Sequence, residues 1–266
     1  MSATLGGLIK DLRLQKNISQ LEIAFALGWK EPSRLSRIEQ GKVGNPPREL
    51  IDKLIDAMHL TEEEKNQLLA VGNYLPTKEE IDGARKKIRQ VVDNWPYPAT
   101  CIDYTWRIIY TNREMFQIHE TTKRQQEYIG KTLPRVIELA FDTNLPINKP
   151  QTPEVDEKRK IFLLRTLKHF QHALKDKTHE KWYRDLIRRM MANKLFRDLW
   201  IESQTTVFEN DIMNFSSQTF VKEESKSIKY LNFYFFLVPV FGDPRFIIEF
   251  FVPSDLQTFE YFQKRK

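Results

Sequence analysis

The stretch SQLEIAFALGWKEPSRLSRIEQGK, residues 19–42, decides how the N-terminal part of the chain folds. Its first residues, Ser19-Gln-Leu-Glu22, spell a capping box: the Ser19 hydroxyl can accept from the Glu22 amide while the Glu22 carboxylate reaches back. The helix opened there carries Ile23, Ala24 and Leu27 and stops at Gly28, the residue type that tolerates a left-handed turn. Pro32 suits the first turn of a second helix, which continues through Ser33-Arg-Leu-Ser-Arg-Ile-Glu39 until Gly41. Leu35 and Ile38 give that helix a small apolar underside. The signals describe two short helices joined by a turn.

The flanks extend the same pattern. Leu5, Leu8, Ile9 and Leu12 recur at helical spacing over Leu5–Lys16, with Asn17 as the stop. Pro46-Pro47 starts another helix, with Leu50, Leu54, Ile55 and Met58 inward, and Thr61-Glu-Glu-Glu64 caps one running to Gly72 before Pro76. Residues 1–76 are therefore expected to form an all-α domain. Residues 77–94 read as a charged connecting helix, with Ile81, Ala84, Ile88 and Val91/Val92 along one side.

After Trp95-Pro-Tyr-Pro98 the texture changes, and residues 95–266 read as a second, α+β domain. Ala99–Asp103 and Arg107–Thr111 predict a hairpin, followed by a helix near Asn112–Ile118 that Asn112 is placed to cap. Residues 142–156, rich in Pro, Asn, Thr and Asp, read as a loop, and two or more helices are expected over 157–200. Three strands follow at about Ile212–Val221, Ile228–Val240 and Arg245–Val252. Glu223-Glu224 is expected in a loop between the first two, and Asp243 after Gly242 marks the last turn.

A chain of 266 residues suits two domains, and the net charge of +6 matters less than its distribution. Residues 1–48 carry eight Lys/Arg against four acids, and residues 49–76 carry two against six. One side of the first domain is thus suited to phosphates. A second basic excess at 157–197, thirteen Lys/Arg against four acids, reads as solvated helix faces. The single cysteine, Cys101, excludes an intramolecular disulfide and falls on a predicted core strand, where a buried inert thiol is the default. The N-terminus has no apolar leader and no run of about 18 apolar residues occurs, so a cytoplasmic protein without membrane insertion is expected. There is no Gly-rich phosphate loop, HExxH or CxxC. His169 and His172 lie at helical spacing without a third ligand nearby in sequence, and nothing singles out His119 or His169 as a haem ligand. The expectation is a protein that is not an enzyme and holds no metal.

A helix-turn-helix places the second helix in the major groove with the first across the backbone. On that arrangement the expected DNA-contacting residues are Gln20, Lys30, Ser33, Arg34, Ser36, Arg37 and Lys42. Gln20 would donate to phosphate or a base edge. Lys30, Ser33, Arg34 and Arg37 supply the outer face, and Ser36 is small enough to sit near the backbone. Glu39 is expected to orient groups within the domain, because a carboxylate repels phosphate.

Ser19-Gln20, Ala24, Gly28, Ser36, Ile38-Glu39 and Gly41 resemble the Xre/Cro helix-turn-helix family, with Gly28 to Glu39 one residue longer than the usual family spacing. The second domain resembles the ligand-binding domain of MmyB-like regulators. The residues that carry this are Pro98-Ala-Thr-Cys-Ile-Asp, Ile108-Ile-Tyr-Thr-Asn112, Phe196-Arg-Asp-Leu-Trp200 and Phe246–Pro253. The resemblance implies a PAS-like fold, an antiparallel sheet with added helices, and a fatty-acyl chain as the candidate ligand. Expected lining residues are Trp95, Tyr97, Tyr110, Phe116, Trp200, Phe233, Phe235 and Phe250. No cofactor is otherwise indicated. The expected function is a ligand-responsive transcription regulator that binds double-stranded DNA as a homodimer. The alternative is a protein-interaction adaptor or antitoxin-like factor without specific DNA binding.

Overall fold

The computed structural model of the protein describes residues 4–206, 216–222 and 228–264. The early part of the expected strand at Ile212–Val221 and the Glu223-Glu224 pair lie outside the described residues. The chain divides into two compact units, Met1–Ala84 with Pro239–Phe246, and Arg85–Val238 with Ile247–Lys266. An all-α helix-turn-helix region is followed by an α+β region with an antiparallel sheet.

The first unit is built on α1 (Leu5–Gln15), α2 (Gln20–Ala26), α3 (Ser33–Glu39), α4 (Arg48–Ala57) and α5 (Glu62–Val71). Both capping boxes form. Ser19 and Glu22 bond reciprocally at the start of α2, as do Thr61 and Glu64 at the start of α5. Gly28, at φ 71°, ends α2 in the left-handed turn that a side chain would resist. Leu8, Ile9, Leu12, Ile23, Leu35, Ile51, Leu54, Met58 and Leu68 make one closed core. Pro32 stands one position earlier than expected, at the N-cap of α3 and not in its first turn.

Helix α6 (Lys78–Asp93) starts in the first unit and continues into the second. Ile81, Ala84, Ile88 and Val92 are buried along it, whereas Val91 faces solvent. Residues 239–246 complete the first unit around Arg245, which is 1% exposed. Its guanidinium donates to Asp243 (2.9 and 2.8 Å), Glu80 Oε2 (2.9 Å) and Asn66 Oδ1 (3.2 Å). Asn66 returns a bond to the Gly242 carbonyl at 2.8 Å, and Arg48 holds the other Glu80 oxygen at 2.6 Å. Burial disfavours the Glu80 carboxylate, but Arg48, the Thr77 amide and Arg245 outweigh it and hold its pKa down to about 2.

The second unit contains strands β1 (Ala99–Asp103), β2 (Ile108–Thr111), β3 (Ser216–Lys222), β4 (Ile228–Val240) and β5 (Asp243–Pro253), in the order β2-β1-β5-β4-β3. The last two strands run on into the tip that belongs to the first unit. Between β2 and β3 lie α7 (Arg113–Ile118), α8 (Lys123–Thr132), α9 (Val136–Ala140), α10 (Pro153–Ala173), α11 (Lys181–Met190) and α12 (Lys194–Thr205). The stretch expected as a loop over 142–156 includes a 3-10 turn at Pro146–Asn148, and α10 already begins at Pro153. Helices α8 and α9, and α13 (Leu256–Gln263) after β5, were not anticipated from the sequence. Asn112 organises the start of α7. Its oxygen accepts from the Ala99 and Met115 amides, and its nitrogen donates to the Tyr97 and Val92 carbonyls.

Two titratable groups in this unit have no hydrogen-bond or ion-pair partner among the described residues. Burial pushes the Glu249 carboxyl up to about 7. Burial also pushes the His119 imidazole down to about 4, and its Nδ1 is unpartnered. The folded state holds the Glu249 proton that the unfolded chain releases near 4.5. This contribution is therefore complete below that pH and is lost as pH rises through about 7. His119 works oppositely, its contribution being lost as pH falls from 6.5 towards about 4. Urea denaturation should find Glu249→Gln more stable than wild type by roughly 2–3 kcal/mol near pH 8, with the gap closing by about pH 4. A gap independent of pH would contradict this assignment.

Candidate nucleic-acid interface

The surface formed by α2, the turn after it and α3 is set from beneath by a buried ion pair. Arg13 on α1 donates from Nε to Glu39 Oε1 at 2.7 Å and from Nη2 to Oε2 at 3.1 Å. Its third contact goes to the Ile18 carbonyl at 2.9 Å. Both side chains are nearly sealed, at 8% and 2% exposure. Gln20, the first residue of α2, donates Nε2 to Glu39 Oε2 at 2.7 Å, so one carboxylate joins three helices.

Gly6 on α1 fixes how closely those helices approach. A Cβ there would collide with the Ile38 carbonyl oxygen and come within 2.9 Å of the Glu39 carbonyl oxygen. Leu35 (0% exposed) and Ile38 (5%) then fill the underside of α3. What remains outward is polar. Lys30, Ser33, Arg34, Arg37 and Lys42 are all exposed, and Ser36 is half-buried.

The four cations Lys30, Arg34, Arg37 and Lys42 form no ion pair among the described residues. The Arg34 guanidinium lies over the Trp29 ring at 4.7 Å, which orients it while leaving its donors available. Ser33 is turned to Glu31 at 2.8 Å, and Ser36 accepts from Gln40 at 2.9 Å. Gln20 keeps a second amide hydrogen beyond its bond to Glu39. Sequence reading did not identify Arg13, Gly6 or Trp29 as parts of this site. The glycine inside an apolar helical pattern was the available signal for a close approach.

Of the eight aromatic residues expected to line a ligand site, five lie in one group and three lie elsewhere. Trp95 contacts Tyr97 and Phe250 at 6.2 and 4.8 Å between centroids. Tyr97 continues through Phe262 to Phe233, and Phe235 joins through Phe251. Those five form one connected aromatic group. Trp200 packs instead with Phe196 and Phe170 in the helical core of α9 to α12, and Phe116 packs against the cluster of Ile102, Ile108 and Ile129. Tyr110 donates its hydroxyl to the Asp93 carboxylate at 2.9 Å.

Among the described residues no group of three His, Cys, Asp or Glu side chains is placed to hold a metal. His169 packs edge-on to Trp106 at 5.1 Å. Burial, with Asp103 and Glu249 nearby, pushes the Cys101 thiol up to about 12, which keeps it protonated near neutral pH. No helix of the described residues is long and apolar enough to cross a membrane.

The helical arrangement with its outward cationic face is that of a helix-turn-helix domain, an element used to read DNA. Residues 4–68 match the family described as helix-turn-helix domain, from the N-cap of α1 into α5. Among curated proteins none matches the chain.

Position and outward chemistry are separable here. Glu39→Ala leaves the Arg13 guanidinium buried without its partner and should cost about 3 kcal/mol or more in urea denaturation. Arg34→Ala and Arg37→Ala should each stay within about 0.5 kcal/mol of wild type, since neither supports the core. Equal losses for all three would show that α3 is not held through Glu39.

Proposed function

We propose that this protein is a transcription regulator that binds double-stranded operator DNA through α3 and responds to an apolar small molecule in its second unit. The observation that carries the DNA reading is the set of four exposed cations, Lys30, Arg34, Arg37 and Lys42, on the face of α3 and its flanks, which form no ion pair among the described residues. Cations left free in that way can neutralise phosphates and release counterions. Arginine can also take guanine O6 and N7 with two parallel bonds. A homodimer belongs to this reading because reading heads of this type usually engage paired half-sites one helical turn, about 34 Å, apart.

Binding to genomic fragments at several salt concentrations tests it. Sequence-selective binding that weakens steeply with salt is expected, and Arg34→Ala/Arg37→Ala should bind at least about tenfold more weakly. Salt-dependent, selective binding that survives the double substitution would move the reading surface elsewhere. No selective binding at all would favour an adaptor that uses the same fold for a protein partner.

The ligand reading rests on the MmyB-like resemblance and on the connected aromatic group of Trp95, Tyr97, Phe233, Phe235 and Phe250. A fatty acid is the candidate. Native mass spectrometry of gently purified protein should show a species heavier by one such molecule, and Phe250→Asp should lose it. A protein that is isolated empty and fails to take up added fatty acid would remove the ligand from this reading and leave the DNA reading in place.

A further inference from the structure

The turn between β1 and β2 and the loop before α9 run side by side through an isolated antiparallel bridge that sets Arg107 opposite Arg135. The Ile108 amide donates to the Pro134 carbonyl at 2.9 Å and the Val136 amide to the Trp106 carbonyl at 2.8 Å. Like charges directly across a bridge repel, so this pairing calls for compensation. Arg189, from α11, adds a third guanidinium whose charge acts on Arg135 alongside that of Arg107.

Two carboxylates sit among these arginines, and both are already engaged. Asp103, fully buried, accepts at Oδ1 from the Thr105 amide, the Thr105 hydroxyl and the Arg107 amide. Its Oδ2 is 3.0 Å from Arg107 Nε, an ion pair out of line for a hydrogen bond. Glu138 receives Arg189 Nη2 at 2.7 Å and the Arg135 backbone amide at 2.8 Å. The Arg135 side chain receives neither. Its Nε is buried without a partner, and no ion pair forms on it among the described residues. Its guanidinium lies over the Trp182 ring at 4.8 Å. Burial lowers the pKa of this guanidinium from its ordinary value, while Asp103 and Glu138 act on it through space against Arg107 and Arg189. Arg135 is nevertheless partly exposed, so a solute can reach it.

We propose that Arg135, flanked by Arg107 and backed by Trp182, is an oxyanion-binding site that takes one carboxylate or phosphate group. A planar guanidinium with unused donors, stacked on an indole, matches the two-oxygen edge of either anion. The site is independent of the DNA-reading surface. Its anion can come from two sources with the same chemistry, a free phosphate or the acid group of an amphiphile.

Isothermal titration calorimetry of the full chain at low ionic strength separates them, with inorganic phosphate and decanoate as probes. The variants are Arg135→Gln and Arg188→Gln, the latter removing an exposed arginine of α11 that is paired with Asp185. Wild type is expected to bind one anion per chain, Arg135→Gln to bind at least tenfold more weakly, and Arg188→Gln to match wild type. Saturation by phosphate assigns a free anion, and saturation by decanoate alone assigns the head of an amphiphile. Absence of saturable heat from both probes overturns the proposal without any variant. So does Arg135→Gln binding equal to wild type.

Discussion

The first unit depends on one carboxylate. Glu39 sits at the end of α3, where an exposed acid would repel the phosphates that the surrounding cations suit, and the fold turns it inward onto Arg13. A buried ion pair adds little net stability, because desolvation offsets much of its attraction, but losing one partner is expensive. Its geometric effect is larger. With both Glu39 oxygens taken by Arg13 and Gln20, and Gly6 admitting the α3 backbone against α1, the rotation of α3 about its axis is determined. The outward set of Arg34 and Arg37 follows from that, since Leu35 and Ile38 must then face the core.

In the second unit Asn112 has a comparable place. Nearly sealed at 1% exposure, it joins the end of α6, the Trp95–Tyr97 segment, β1 and α7 through its single amide. An amide is suited to this because it accepts and donates at once without carrying charge into the interior. The sequence reading placed Asn112 as a helix cap, which it is, but a cap uses only one of these contacts.

What could be read from the sequence was local. Ser19 and Thr61 announce their helices through bonds to residues three positions away, and Gly28 and Gly242 mark turns by conformation. Such signals survive without knowledge of the fold. Helix α8 has a capping box at Thr122 and Gln125, but it buries only Ile129 and exposes Tyr128, so no apolar period follows the cap. Pro32 shifted by one position because a proline satisfies both the N-cap and the first turn. Arg13 could not be recognised as buried, because its partner lies 26 residues away and its own helix already has an apolar face. The aromatic residues could not be sorted into groups for a related reason. Phe and Trp pack wherever layers meet, and Trp200 and Phe116 serve different interfaces from Trp95 and Phe250.

Arg245 also bears on the order in which the protein assembles. Its acceptors Glu80 and Asn66, together with Arg48, belong to the early chain, while Arg245 and Asp243 lie near the other end of the sequence. At about 5–20 residues per second on the ribosome, the arginine follows Glu80 by on the order of 10 s. During that interval Glu80 can be solvated or paired with Arg48, but Asn66 and the later bond to Gly242 have nothing to meet. Helices α1 to α5 can condense as they emerge, because their core is drawn from residues 5–69. The finished first unit is a late product of synthesis, and a chain released before residue 239 lacks the cation that its buried acceptors surround.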